Sequence, residues 1–184
     1  MSSESSVMTT ILKRRSGRQF DSNKMVSKDQ LESLIEAARW APSCYGDEPW
    51  RYIICNKADN PEAYEKLLSC LVEFNQGWAK NAPVLMVAVA KNTFSFNGEP
   101  NSWGGYDTGA ASMNICNMAC SLGLMTHQMG GFDESLVAKA FEIGQDFRTV
   151  SVIAVGYEVE NPTDLAERKR KPVEDIFFYG TFKN

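Results

Sequence analysis

Three guanidinium groups and a hydroxyl fall within five residues, Arg14-Arg15-Ser16-Gly17-Arg18. Arginine stays charged at any working pH and offers a planar fork of N–H donors that matches a phosphate's oxygens two at a time, and Ser16 adds a short hydroxyl contact. A second basic cluster, Arg168-Lys169-Arg170-Lys171, lies near the other end of the chain. Each of the two windows, residues 13–18 and 168–171, holds four Lys and Arg. Together that is eight of the 19 in a chain whose formal net charge is -4. Two focused basic patches on an acidic body suit one small, highly charged ligand group held between the chain's ends. Runs of one sign also occur as plain solvated faces, and spacing alone leaves both readings open.

The remaining side chains narrow the chemistry. There is a single histidine, His127, and no nucleophile elbow, so a Ser-His-Asp or Cys-His hydrolase has little to be built from. His127 reads as a packed, hydrogen-bonded residue rather than a proton donor. Cys44, Cys55, Cys70, Cys116 and Cys120 are odd in number and scattered. With no second histidine to complete a metal site, they read as reduced thiols of a cytoplasmic protein. Met1 to Ser6 has no positive segment followed by an apolar one, so no secretory signal is expected. A nucleic-acid binder would use the same basic clusters for backbone phosphates, with affinity falling steeply as salt rises. The acidic total and the absence of aromatics among residues 168–171 argue against one.

The elements that must position these groups follow from periodicity. At 184 residues the chain suits one domain with one sizeable core. Met8, Ile11, Leu12 and Arg15 share helical spacing, which puts the first basic cluster at a helix end where Gly17 lets the backbone turn. Ser27-Lys28-Asp29-Gln30 is a capping box for a helix whose Leu31, Leu34, Ile35 and Ala38 line one face. The stretch from Pro42 to Pro49 is a turn-rich loop leading into a strand at Trp50–Cys55. Pro61 opens another helix. Residues 83–90 form a continuous apolar run suited to a strand covered on both faces. Lys91 to Gly105 is a loop carrying Phe94, Phe96 and Trp103, placed either to choose a substrate or to tuck into the core.

Asp107 is the expected N-cap of a charge-free helix that ends at Gly123, whose small residues suit a core axis and a face for a second subunit. Gly130-Gly131-Phe132-Asp133 leads into a further helix. Its amides suit a negative charge, and a plain helix-start loop would look the same. Residues 149–157 read as a strand, and Ile176 to Tyr179 as an apolar tail too rich to be left in water.

The order of these features resembles the FMN-dependent nitroreductase family in its short, single-domain form. The resemblance rests on Arg-Arg-Ser-x-Arg near the start, Ala41-Pro42-Ser43 running to Pro49-Trp50, Gly130-Gly131-Phe132-Asp133 and the basic end, and it covers nearly the whole chain. It implies an α+β fold with a mixed central sheet flanked by helices, in an intertwined homodimer with FMN at the subunit interface. By the same resemblance, Arg14, Arg15, Ser16 and Arg18, with Arg168 and Arg170, grip the phosphate. Pro42, Ser43 and Cys44 lie along the flavin ring, Asn75 bonds its edge, and the backbone of Gly130 and Gly131 faces the ring nitrogen that takes hydride. A fixed amide dipole there stabilises the charge that reduction builds.

Two positions depart from the family pattern: Gly46 and Glu48 stand where asparagine and glutamine are usual. The implied activity is hydride transfer from NAD(P)H, through bound FMN, to a flat acceptor such as a nitroaromatic or quinone in a ping-pong cycle. Tyr45, Phe94, Phe96 and Trp103 are the expected substrate side. No side chain need act as a catalytic acid, since the cofactor carries the chemistry. Reductive dehalogenation, dehydrogenation and non-catalytic flavin binding stay open as alternatives. So do the choice between NADH and NADPH and the identity of the acceptor.

Overall fold

The computed structural model describes residues 7–165 and 167–182. The segment Met1 to Ser6, considered above for a leader, lies outside them. Six helices and four strands are seen among the described residues: α1 (Thr9–Lys13), α2 (Lys28–Arg39), β1 (Trp50–Asn56), α3 (Pro61–Ser69), α4 (Glu73–Ala79), β2 (Val84–Lys91), α5 (Gly104–Ser121), β3 (Met125–Met129), α6 (Glu134–Ala140) and β4 (Phe147–Gly156).

The capping box of α2 forms as the sequence dictates. The Ser27 hydroxyl accepts the Gln30 N–H at 3.2 Å, and the Gln30 side chain accepts the Ser27 N–H at 3.0 Å. The same helix buries Leu31, Leu34 and Ala38. Truncating the fully buried Leu34 to alanine would cost about 2–5 kcal/mol.

The strands lie in the order β1-β2-β4-β3. The fold is α+β as expected, but every neighbouring pair in the sheet is antiparallel rather than mixed. The connections explain this. Asn56 at the end of β1 faces Val84 at the start of β2, so α3 and α4, two helices in succession, return the chain to the end of the sheet it left. The single helix α5 does carry the chain across the sheet, so β2 and β3 run the same way. β4 then inserts between them in the opposite direction.

Alternation along β2 divides the core in two. Leu85, Val87 and Val89 face α3, α4 and α6, packing with Tyr64, Leu67, Ala79 and Val137. Val84, Met86 and Ala88 face α2 and α5, packing with Leu34, Ala38, Ala111, Ile115 and Ala119. A strand buried on both faces must be apolar at every position, which is why residues 83–90 show no alternation of polarity.

Helix α5 starts at Gly104, three residues before the expected cap. Gly104 is needed there because a Cβ would meet the Lys91 carbonyl oxygen at 2.5 Å. Asp107 therefore sits inside the first turn and caps nothing in its own helix. Its buried carboxylate instead accepts the N–H of Cys44 at 3.0 Å. The C-terminal tail leaves Ile176, Phe177 and Tyr179 exposed on the single chain.

Candidate flavin and substrate site

The two ends of the chain meet. Residues 19–21 run antiparallel to residues 157–159, with the Asp21 N–H on the Tyr157 carbonyl at 2.8 Å and the Val159 N–H on the Gln19 carbonyl at 3.0 Å. Gln19 extends this pairing by gripping Thr163 through both its side-chain oxygen and nitrogen, at 2.6 and 2.8 Å. The pairing delivers Arg168 to the N-terminal cluster. Its guanidinium donates to the Arg14 carbonyl at 2.5 Å and also to the carbonyl of Leu12.

Within the cluster the arginines have different surroundings. Arg14 donates to the Ser16 hydroxyl at 3.3 Å, holding the two predicted phosphate contacts side by side. Arg15 is ion-paired with Glu158 and, at 3.4 Å, with Asp164. Burial raises the Glu158 carboxyl above its ordinary range, more than the Arg15 guanidinium lowers it. Asp164 is held low, first by the Arg18 backbone N–H it accepts at 2.9 Å and also by Arg15. Arg18 is exposed and lies 5.3 Å over the Phe74 ring. Among the described residues Arg170 reaches only its neighbour's carbonyl, at 3.2 Å. Arg14, Ser16, Arg18 and Arg168 thus keep charge or donors toward solvent, whereas Arg15 is spent on two internal carboxylates that the sequence reading did not single out.

Phe74 leads into the second group of predicted residues. Asn75 donates through Nδ2 to the Gly131 carbonyl at 3.0 Å, and the Val72 N–H reaches the same oxygen at 3.0 Å. A Cβ on Gly131 would meet Asn75 Nδ2 at 2.7 Å, so any larger residue would have to push Asn75 off the Gly131 carbonyl. The helix behind it is less available than expected. Asp133 accepts the first-turn N–H groups of Ser135 and Leu136 at 2.9 and 3.0 Å, so the α6 terminus carries its own anion. The part left for a ligand is the glycine backbone, not the helix dipole.

Arg18 opens on a cleft of about 530 Å³, lined also by Phe20, Trp78, Asn81, Thr163 and Asp164 among others. Trp78 stands one turn beyond Asn75 on α4, stacked on Phe20 at 6.2 Å and against His127 at 4.6 Å. Its Nε1–H is buried without an acceptor among the described residues. An orphaned buried donor beside a free arginine fits a polyoxygenated ligand, because leaving such a group unpaired is costly. His127 is packed as the sequence suggested, with Nδ1 3.1 Å from the Gly17 carbonyl, and burial lowers its pKa.

The remaining predicted residues are elsewhere. Pro42, Ser43 and Cys44 precede β1 and are fastened to α5 through Asp107. Tyr45 packs edge-on against Phe94 at 5.7 Å and Phe96 at 5.6 Å. Trp103 does not join this triad and pairs with Tyr106 at 5.8 Å. Glu48 is exposed, as a carboxylate with no cationic partner would be, and Gly46 occupies a left-handed turn at φ 67°.

Residues 42–45 therefore flank β1 on the face of α2 and α5, while Asn75 and Gly131 flank β3 on the face of α3 and α4. β1 and β3 are the two edges of the sheet, three strand spacings or roughly 14 Å apart.

The match to known proteins now has geometry to rest on. The model of the nitroreductase family matches residues 11–157, the span holding all of these groups except Glu158, Thr163, Asp164 and the C-terminal arginines. The chain belongs to the nitroreductase family. A solved structure described as an oxidoreductase containing FMN superposes with a TM-score of 0.88 at 33% identity, covering 96% of this chain and 93% of that one. A Staphylococcus haemolyticus protein that carries the name "Putative NAD(P)H nitroreductase" is 26% identical over 94% of this chain and 98% of its own length. An oxygen-insensitive NADPH nitroreductase of Helicobacter pylori is 34% identical over 40% of this chain and 33% of its own. Within this nitroreductase fold the basic clasp, the Asn75–Gly131 cradle and the aromatic triad are the candidate working parts. Trp78 is the one sequence reasoning passed over, and Asp107 is one it reads only as a helix cap. Asp107 did leave a trace, as the last charge before the nineteen residues, 108–126, that carry none ahead of His127.

Proposed function

We propose that this member of the nitroreductase family, an FMN-dependent oxidoreductase that draws on NAD(P)H, reduces flat electrophilic acceptors such as nitroaromatics or quinones in a ping-pong cycle. The observation that carries the reading is the meeting of Arg14, Ser16, Arg18 and Arg168 where the chain's two ends join, with Arg18 opening on a cleft beside the orphaned Trp78 indole. When bound, FMN supplies the ring through which hydride passes from reductant to acceptor. The chain's own residues hold, orient and exclude. Arg14, Ser16, Arg18 and Arg168 bind the phosphate, with Arg15 and Asp164 bracing them. The Trp78 indole donates to the nucleotide, and Gly131 lets the ring approach the backbone.

The Pro42–Cys44 loop and the aromatic triad then belong to the site only if a second copy supplies them, since they lie on the opposite edge and face of the sheet from Gly131. A homodimer in which each site takes one half from each subunit meets that need, and it gives the exposed Ile176, Phe177 and Tyr179 a partner to cover them. Five free thiols suit a cytoplasmic setting, and no described helix is long and apolar enough to cross a membrane.

The test is a visible absorption spectrum of the purified protein after soaking in FMN, followed by anaerobic NADH or NADPH. A bound flavin that bleaches on adding reductant and recovers on adding a quinone is the expected result. Bound flavin that neither reductant bleaches would instead make the chain a binding module.

A further inference from the structure

Resting on that reading, we propose that Asp47 is a positioning residue that sets acceptor selectivity by pinning the aromatic triad. The turn that carries Tyr45 is under strain. Tyr45, Gly46 and Glu48 have φ values of 55°, 67° and 48°, a left-handed conformation that disfavours two of the three. Such a turn persists only where its surroundings fix it. Here they do so at three points. The Ser43 hydroxyl accepts the Glu48 N–H at 3.0 Å, Asp107 accepts the Cys44 N–H at 3.0 Å, and Asp47 Oδ1 accepts the Ser95 N–H at 2.7 Å.

The first two bonds shape the turn and seat it on α5. The third alone reaches the loop between Phe94 and Phe96. It holds Tyr45, which is 81% exposed, edge-on to both rings, and those rings are themselves 5.4 Å apart. Asp47 keeps this bond although its Oδ2 is buried with no partner among the described residues. A strained turn, an unpaired carboxylate oxygen and exposed rings are all unfavourable to the fold, and all serve to present a rigid aromatic platform. Rings fixed in that way favour a planar aromatic acceptor over a compact one, because they lose no freedom when it stacks.

Asp47→Ala, Asp47→Asn and wild type decide the matter through two readouts. Near-UV circular dichroism of the apoprotein reports the triad without any cofactor. Asp47→Ala loses aromatic ellipticity, and Asp47→Asn keeps it, since the amide oxygen still accepts from Ser95 and its nitrogen fills the place of the unpaired oxygen. In FMN-loaded protein, the ratio of kcat/KM for a naphthoquinone to that for ferricyanide falls about fivefold in Asp47→Ala, through KM for the quinone, and returns in Asp47→Asn. An unchanged spectrum, or an unchanged ratio beside a changed spectrum, overturns the proposal. Wild-type protein that takes up no FMN would instead sink the functional reading, and the ellipticity arm would still decide whether Asp47 pins the triad.

Discussion

The two halves of the candidate site are built by opposite means. The half along β3 is bound together by long-range polar contacts: Arg168 on the carbonyls of Leu12 and Arg14, Arg15 on Glu158 and Asp164, Asn75 on Gly131. The half beside β1 is a short strained turn with Tyr45 and Phe96 exposed and Phe94 half-buried. Charge and hydrogen bonds fix a highly charged, invariant group. Exposed aromatic faces tolerate variety in what stacks on them. On the proposed reading, the polar half recognises the constant ligand and the aromatic half the changeable one, with a second copy bringing the two together.

The largest effect tests that separation directly. Gly131→Val fills the cradle, and Cys44→Trp blocks the loop held by Asp107. Each homodimer should therefore bind FMN about thirtyfold more weakly, an overpacking of about 2 kcal/mol. A mixed dimer purified with one chain of each kind should recover one tight site per dimer, since one interface then joins two unaltered halves. If both halves served the same copy, the mixed dimer would be as weak as its parents. Fluorescence titration with FMN distinguishes the two.

A smaller effect sharpens the contrast on stability. Asp107→Ala leaves the Cys44 amide in a buried setting without its acceptor, and the expected loss is about 1–3 kcal/mol in a urea unfolding curve. Asp107→Asn, which keeps an oxygen in place, should recover most of it. A loss as large in the Asn variant would mean that the charge matters rather than the bond.

How far this was legible in the sequence differs by half as well. The basic clusters stand out because arginine density in an acidic chain is a chemical signal that needs no fold to be read. The α2 capping box, the apolar run of β2 and the strand β4 stand out because period and composition agree. β3 was missed because Met125-Thr126-His127-Gln128-Met129 has no alternation strong enough to mark it, and it is a strand only because β4 lies beside it. α4 was missed because Gly77 and two aromatics interrupt seven residues that packing, not propensity, holds helical.

The role of Asp107 was misread because a good cap residue near a helix start looks like a cap. Its true partner is 63 residues away in sequence. The aromatics of the loop were legible as a group but not as a geometry, so Trp103 was counted with a triad it does not join. The mixed sheet came from the resemblance, and the pairing of β4 between β2 and β3 corrects it.

The smallest expected effect lies in the first half, in the pH dependence of folding. His127 is held neutral, first by burial and then by the Arg18 cation, with its pKa below 6.5, the ordinary value. A base whose pKa is lowered by folding is protonated more readily in the unfolded chain. As pH falls from 6.5 toward the folded pKa, the unfolded state binds more protons and stability declines. Above 6.5 neither state gains a proton and the contribution is complete. His127→Gln should therefore flatten the fall in the urea midpoint on the acid side of pH 6.5 while leaving the neutral side parallel to wild type. A variant that keeps the full acid slope would sink this assignment. Of the neighbouring carboxylates, the lowered Asp164 loses stability with acid in the same direction, whereas the raised Glu158 contributes with the opposite sign, favouring the fold as pH falls.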